Sequence, residues 1–275
     1  MPEILEVEAA RHVVEDHALG RSIAGVDAPD AWYLKRGLTP AAVRSALPER
    51  RFVAARRRGK LLLLDTDRRR RAGTRAPTDA GLGPTLALHL GMSGRVVVDG
   101  TAAGDPLVYA SNRAETTWHR FTVHFADGGA LILSDPRRLG AVELDPDEDR
   151  LGIDALAVTT PDLRALLARR RGPIKAVLLD QHGIAGLGNL LVDEILWRAS
   201  LDPNRPAISL DPPEQGRLGR VLRTTLGVLG RRGGSHTGDL MVARVPGGHC
   251  PRDGAPLRRE TVGGRTTYWC PAHQR

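Results

Sequence analysis

The chain has 275 residues, with 40 Lys and Arg against 32 Asp and Glu and a formal net charge of +8. That length supports one large domain or two smaller ones without disulfide staples, and the basic excess favours a polyanionic partner over an acidic small molecule. No apolar stretch approaches the roughly 18 to 20 residues of a membrane span, and the early acids Glu3, Glu6 and Glu8 do not fit the basic start of a signal peptide.

The chain opens Met1-Pro2-Glu3-Ile4-Leu5-Glu6. With Met1 removed, Pro2 presents a secondary amine. An α-amino group with a pKa near ~8 is partly unprotonated at neutral pH, whereas a lysine near ~10.4 must first be depressed. Attack by such an amine on the anomeric carbon of a sugar gives a cationic iminium, which is an electron sink, and Glu3 sets an acid beside it. Ile4, Leu5, Val7, Ala10, Val13, Val14 and Ala18 recur at helical spacing, so residues 4–18 are expected to hold the amine at a helix start.

A second short helix is expected over 41–47. Strand-like patterns follow at 51–54, 61–65, 86–90, 95–99, 121–125 and 130–133, the last two joined by the turn Ala126-Asp127-Gly128-Gly129. They predict a twisted sandwich or barrel. The Arg/Gly/Pro-rich run between Asp67 and Thr85 reads as a solvated loop, because like charges repel. A polar break at 145–149 is the expected domain boundary. Helices are then expected at 161–170, 174–181, 190–199 and 215–229, with short strands from 245 onward around Cys250 and Cys270. Those two cysteines are the chain's full complement. Both lie in the tail, as in a cytoplasmic protein that uses them for metal.

Lys175 to Trp197 reads as two helices separated by a glycine-punctuated double turn. Gly186 and Gly188 are expected to supply positive φ, and Asn189 falls where an N-cap belongs. A helix N-terminus plus an amide makes a phosphate clamp. The competing reading is an ordinary helix hairpin with a capping Asn.

Taken in order, Pro2-Glu3 with Glu6, Arg58-Gly59-Lys60, the run His89 to Gly94 (HLGMSG), the run Asp135 to Gly140 (DPRRLG), the 175–197 block and the paired-cysteine tail resemble the formamidopyrimidine-DNA glycosylase and endonuclease VIII family over nearly the full length. The resemblance implies an α+β, two-domain fold. Residues 1–146 would form a catalytic β-sandwich with flanking helices, 147–244 a helix-two-turn-helix domain and 245–275 a zinc-finger hairpin. It also implies a bifunctional enzyme that removes an oxidised base from double-stranded DNA and cuts the strand by β,δ-elimination, acting as a monomer on damaged or abasic sites. In that scheme Pro2 is the nucleophile, Glu3 protonates the opened sugar and shuttles protons, and Lys60 contacts the phosphates beside the lesion. Asn189 and Arg265 grip the backbone, and His89 also lies on the DNA side. Arg265 acts from the finger hairpin as part of the catalytic set with Pro2, Glu3 and Lys60. Met92 and Arg138 fill the space left by the extruded nucleotide. The family's aromatic filler is replaced here by Leu139, which can still wedge a base step but loses stacking.

Three departures stand out. The finger's usual pairs of cysteines read Cys250-x-x-Asp253 and Cys270-x-x-His273. These four could close a tetrahedron around one Zn²⁺, with His249 as a rival fourth ligand. The interval from Gly233 to His249 is shorter than in the formamidopyrimidine branch, where it includes a loop that closes over an oxidised purine. Oxidised pyrimidines or abasic sites are therefore the expected substrates. Leu5 stands where the purine branch commonly has proline, which changes the helix entry only. Two other classes of protein remain open: a catalytically inactive or specialised helix-two-turn-helix DNA-binding protein, and a metal-dependent nuclease, for which no clear carboxylate cluster exists.

Overall fold

The computed structural model describes residues 2–67, 82–103, 113 and 115–275. The expected Arg-rich loop therefore lies outside the described residues over 68–81, and its last residues are strand instead. The chain divides into two compact units, one holding Pro2 and residues 6–148, the other residues 3–5 and 149–275.

In chain order the first unit contains α1 (Ile4–His17, whose first two residues count with the second unit), β1 (Ile23–Asp27), α2 (Pro40–Ala46), β2 (Phe52–Arg58), β3 (Leu61–Asp67), β4 (Leu82–His89), β5 (Arg95–Val98), β6 (Thr101–Ala102), β7 (His119–Phe125), β8 (Ala130–Ser134) and β9 (Ala141–Leu144). The strands form two sheets, ordered β1-β7-β8-β5-β6 and β2-β3-β4-β9. One core joins them: Leu62, Leu64, Leu86, Leu88 and Val142 from one sheet, and Val26, Val96, Val98, Phe121, Val123 and Leu133 from the other. Val7, Ala10 and Val14 of α1 pack into the same core, which explains their helical spacing. Three strands of this unit, β1, the two-residue β6 and β9, escape the sequence pattern. A bulge between Ile23 and Gly25 breaks the alternation of β1, and β9 is a four-residue edge strand directly after Gly140.

The second unit contains β10 (Ile153–Asp154), α3 (Thr160–Leu167), α4 (Ile174–Leu179), β11 (Ile184–Ala185), α5 (Asn189–Ala199), α6 (Pro212–Arg232), β12 (Arg258–Val262) and β13 (Arg265–Trp269). Capping boxes at Thr159/Asp162 and Asp211/Glu214 start α3 and α6. Asp211 with Pro212 behind it lets α6 begin before the expected residue 215. The apolar faces of α3 to α6 share one core, which includes Leu163, Leu178, Leu191, Ile195, Leu222 and Leu226. β12 and β13 pair as a hairpin from Arg258↔Trp269 to Val262↔Arg265. Its turn residues Gly263 and Gly264 have φ +60° and +72°, as a two-residue type I′ turn requires.

Candidate functional site

The start of the chain is fixed by one buried carboxylate. Glu3 is fully buried. Its Oε2 accepts hydrogen bonds from the backbone N–H groups of Gly188 (2.7 Å) and Leu191 (3.2 Å), and its Oε1 from that of Leu190 (2.8 Å). Ile4 N–H donates to the Gly186 carbonyl at 3.1 Å. Glu3 thus does for α5 what a local cap would do, placing an anion against unpaired N–H groups at the positive end of the helix.

This changes the expected roles of the turn residues. Gly186 does take φ +114°, and a Cβ there would lie 2.5 Å from Ile4 Cδ1. Gly188, however, is extended at φ −125°; it is glycine because a Cβ would lie 2.3 Å from Glu3 Cδ. Gly188 is the N-cap residue, and Asn189 is the first residue of the helix, making no cap hydrogen bond. Its side chain is used elsewhere. Nδ2 donates to the Thr266 carbonyl at 2.9 Å, and Oδ1 is buried without a hydrogen bond among the described residues.

The β13 strand carrying Arg265 is held by a second buried group. Lys175 Nζ, fully buried, contacts Asp193 Oδ1 and Thr267 Oγ1, each at 2.6 Å. Asp193 Oδ2 accepts from Arg244 at 2.7 Å. Burial pulls Lys175 below its ordinary value, opposed by the Asp193 charge. The lysine is therefore a strut between α4, α5 and the hairpin, and sequence reasoning gave it no role. Its signal was a cation on the apolar helix that carries Ile174, Val177 and Leu178. Removing one partner of such a pair leaves a buried charge short of compensation, so Lys175→Met is expected to lower the unfolding free energy by about 3 kcal/mol. Denaturant unfolding checks this, together with faster amide exchange at Thr266 to Tyr268. Arg265 itself is exposed.

In the first unit, Asp135 organises the loop that carries the expected space-filling residues. Fully buried, its carboxylate accepts from Tyr33 Oη (3.0 Å), from the N–H groups of Arg137 (3.1 Å), Leu139 (2.9 Å) and Gly140 (2.9 Å), and from Ser93 Oγ. Gly91 allows the 90–94 turn to close on this loop, since a Cβ there would lie 2.3 Å from the Leu139 carbonyl carbon. Half-buried Met92 and exposed Leu139 are thereby brought to adjoining turns. Arg138 stands at φ +56°, and its guanidinium grips Asp30 through two bonds of 2.7 and 2.8 Å. Arg137 is exposed, and its guanidinium makes no hydrogen bond or ion pair among the described residues.

Lys60 lies in the two-residue turn between β2 and β3, behind Gly59 at φ +56°. Of the arginines before it, Arg56 is paired with Asp65 (2.6 Å) and Glu148 (2.9 Å), and Arg57 with Glu8 (2.8 Å). His89 faces Leu61 across the ladder and accepts from Gly91 N–H through Nδ1 at 3.1 Å. Burial, then the nearby Lys60 charge, hold its imidazole below the ordinary value. A neutral ring accepting at Nδ1 carries its proton on Nε2, where it is a donor.

The tail assembles one further cluster. Cys250, Asp253, Cys270 and His273 place a ligand atom each within 4.8 Å of one another. Cys250 Sγ lies 3.8 Å from His273 Nδ1, and Cys270 Sγ lies 3.4 Å from both Asp253 oxygens. Metal–ligand bonds of roughly 2.0 to 2.3 Å at tetrahedral angles set ligand atoms roughly 3.3 to 3.8 Å apart. The donor set therefore fits a metal ion. His249 is exposed and lies outside the cluster. Trp197 Nε1 donates to Cys250 Sγ at 3.2 Å, a bond to the ligand sulfur of the kind that orients metal ligands.

Two family models match the chain: the formamidopyrimidine-DNA glycosylase N-terminal domain over residues 1–142 and the formamidopyrimidine-DNA glycosylase H2TH domain over 151–238. The chain belongs to the formamidopyrimidine-DNA glycosylase family. A formamidopyrimidine-DNA glycosylase of Paracoccus denitrificans is 36% identical over the full length of both chains. Among solved structures, the Lactococcus lactis Fpg (MutM) bound to DNA containing an N7-benzyl-Fapy-dG is similar at a TM-score of 0.78 and 25% identity, covering 100% of each chain. The Lactococcus lactis enzyme bound to DNA with an oxidised pyrimidine matches equally, at a TM-score of 0.78 and 26% identity over 100% of each chain. The protein is thus an Fpg-family DNA glycosylase of base excision repair, with the two-domain α+β fold of that family.

Within the Fpg family frame, each unit presents its own set of sequence-predicted residues. The second unit brings together Glu3, Asn189 and the β13 strand of Arg265. The first brings together Lys60 with His89, and Met92 with the 137–139 loop. Asp30 was missed because its partner Arg138 lies 108 residues away, and Asp135, quoted within its motif, was given no role of its own.

Proposed function

We propose that the chain is a bifunctional glycosylase and lyase that works through its N-terminal proline. The Pro2 nitrogen attacks C1′ of the damaged nucleotide, the bond from C1′ to the base breaks, and the base leaves with a proton. Loss of the amine proton and opening of the sugar then give an iminium between Pro2 and C1′. Withdrawal of electrons into that cation acidifies C2′–H; its removal expels the 3′ phosphate, and a second elimination expels the 5′ phosphate. Glu3 protonates the sugar ring oxygen and relays protons between these steps. The observation that carries this reading is the hold on Glu3. Three backbone N–H groups fix the Glu3 carboxylate in place, in the residue directly after the amine.

The remaining residues take the roles of binding and orientation on double-stranded DNA. Lys60 and neutral His89 would meet phosphates from the β2–β3 turn and the end of β4. Asn189 retains one Nδ2 hydrogen beyond the bond to Thr266, and Arg265 projects from the hairpin that this bond helps to hold. Met92 would fill the emptied position with Leu139. Arg138 does so only after releasing Asp30, whereas Arg137 has no ion pair among the described residues. Removing Arg265 or Lys60 is expected to weaken binding and to lower the salt dependence by about one unit of slope each. Titration of a labelled duplex across salt concentrations measures it; an unchanged slope for Arg265→Ala would remove the hairpin from the interface.

Zinc is the metal that two thiolates, an imidazole and a carboxylate would take, and when bound it braces the hairpin. One zinc per chain is expected by elemental analysis. Cys270→Ser and Asp253→Ala should each reduce that content, and His249→Ala should not.

For the lesion, the connection between α6 and Cys250 supports small or absent bases. Asp239 is tied to Arg198 (2.6 Å) and Arg232 (2.7 Å), Glu194 accepts from the N–H groups of Asp239 and Leu240, and Leu240 is buried. Little chain is left there to close over a purine. Borohydride trapping across duplexes holding an abasic site, thymine glycol, dihydrouracil, 8-oxoguanine or formamidopyrimidine tests both parts. Abasic and oxidised-pyrimidine duplexes should trap fastest. A preference for 8-oxoguanine would overturn the lesion reading, and binding without any adduct would favour an inactive DNA-binding protein.

A further inference from the structure

Trp32 is 70% exposed, and it is the only aromatic among the large apolar side chains that are exposed in the described residues. An indole contributes a large apolar face, so its position in water calls for a partner. The ring is carried by a rigid segment. It sits in a single 3-10 turn, Ala31–Tyr33. Two residues before it, Asp30 holds the Arg138 guanidinium. One residue after it, buried Tyr33 donates to Asp135, and Lys35 N–H donates to the Val142 carbonyl at 3.0 Å. The turn is therefore bonded on both sides to the loop that presents Arg137, Arg138 and Leu139. Trp32 moves with that loop.

The surroundings define the chemistry of the partner. Lys35 Nζ lies 4.3 Å from the centre of the indole ring and donates to the Trp32 carbonyl at 2.6 Å, so one face of the ring carries a fixed cation. The next cation, Arg36, is neutralised by Glu143 at 3.0 Å, and Arg138 by Asp30. Lys35 and Arg137 have no acidic partner among the described residues. A flat π surface with one face held by a cation, on a turn bonded to the loop that carries Arg137, matches a nucleobase with its phosphates, because stacking takes any base and cations take the backbone. Position 139, on the same loop, offers a leucine and no ring.

We infer that Trp32, backed by Lys35, is a DNA contact: its open face stacks on a nucleobase left unstacked where the duplex is opened at the lesion. It supplies from the 31–33 turn the aromatic surface that Leu139 does not. This rests on the DNA glycosylase reading above, and the experiment separates the two.

The test uses the full chain with duplexes that are either undamaged or contain a tetrahydrofuran abasic analogue. Trp32→Ala should weaken binding to the abasic duplex about tenfold and to the undamaged duplex less than twofold, with the salt slope unchanged. Trp32→Phe should keep most of the affinity, and Leu139→Phe added to Trp32→Ala should restore part of it. Lys35→Ala should instead lower the slope by about one. On the wild-type chain, the abasic duplex should shield Trp32 from acrylamide quenching, and this component should be missing in Trp32→Phe. Equal losses on both duplexes, or affinity within twofold of wild type together with unshielded Trp32, would overturn the contact. Wild-type trapping on abasic DNA alongside that result would leave the glycosylase reading standing; a wild type that forms no adduct would remove the reading itself.

Discussion

Replacing Pro2 by glycine is expected to slow borohydride-trappable adduct formation on abasic DNA by about a hundredfold or more. Glycine keeps an amine at the same place in the chain, so the loss would not come from removing the nucleophile. It would come from orientation. Pro2 is buried, with its φ fixed by the ring, and it precedes a residue whose carboxylate is pinned by three hydrogen bonds. A glycine amine turns freely about both backbone bonds, and misplacing a reacting atom by about 1 Å costs about 10²-fold in rate. Acylating the Pro2 nitrogen should abolish the adduct altogether. Affinity for an uncleavable abasic analogue should stay within a few-fold in both cases. If Pro2→Gly trapped at the wild-type rate, orientation by the ring would be irrelevant, and trapping by the acylated chain would exclude the amine.

The second large effect concerns Glu3, to which the fold gives a capping role and the proposed mechanism a proton-transfer role. Glu3→Gln preserves shape but replaces one acceptor oxygen by an NH₂ group. Both oxygens face N–H donors, so either orientation of the amide sets donor against donor. Leaving a buried donor unsatisfied costs about 1 to 3 kcal/mol, and losing a positioned acid or base costs about 10² to 10⁴ in rate. The variant should therefore unfold at lower denaturant concentration and also excise bases at least a hundredfold more slowly. Chemical denaturation and single-turnover excision measure the two separately. A slow enzyme of wild-type stability would mean that Glu3 does not cap α5 in solution; a destabilised enzyme of normal rate would strip it of its proton-transfer role.

Much of this site could be read from the sequence because its residues are local or terminal. Pro2 and Glu3 are adjacent in the chain, the glycine-rich turn announces a helix start, and the four candidate metal ligands fall in two short spacings. The strands of the sandwich were legible where alternation was intact, as in β7 and β8, and illegible where a bulge broke it, as in β1. What the sequence hid was partnership across distance. Asn189 looked like a cap because a polar residue there usually is one; that the cap arrives from Glu3, 185 residues earlier than Gly188, follows only from the fold. Gly188 looked like a positive-φ residue and proved to be a clearance for a carboxylate. Arg138 was expected to fill the space left by the extruded nucleotide, and the fold pairs it with Asp30; Lys175 had no expected role, and the fold buries it against Asp193 and Thr267.

The proposed mechanism turns on one bond, between the nitrogen of Pro2 and a sugar carbon. The most direct measurement is mass spectrometry of peptides from the borohydride-reduced complex with abasic-site DNA. The account predicts a single adduct, carried by the N-terminal peptide with Met1 absent and the sugar remnant on the Pro2 nitrogen. An adduct on Lys60 or another lysine, or a trapped chain that still retains Met1, would contradict it.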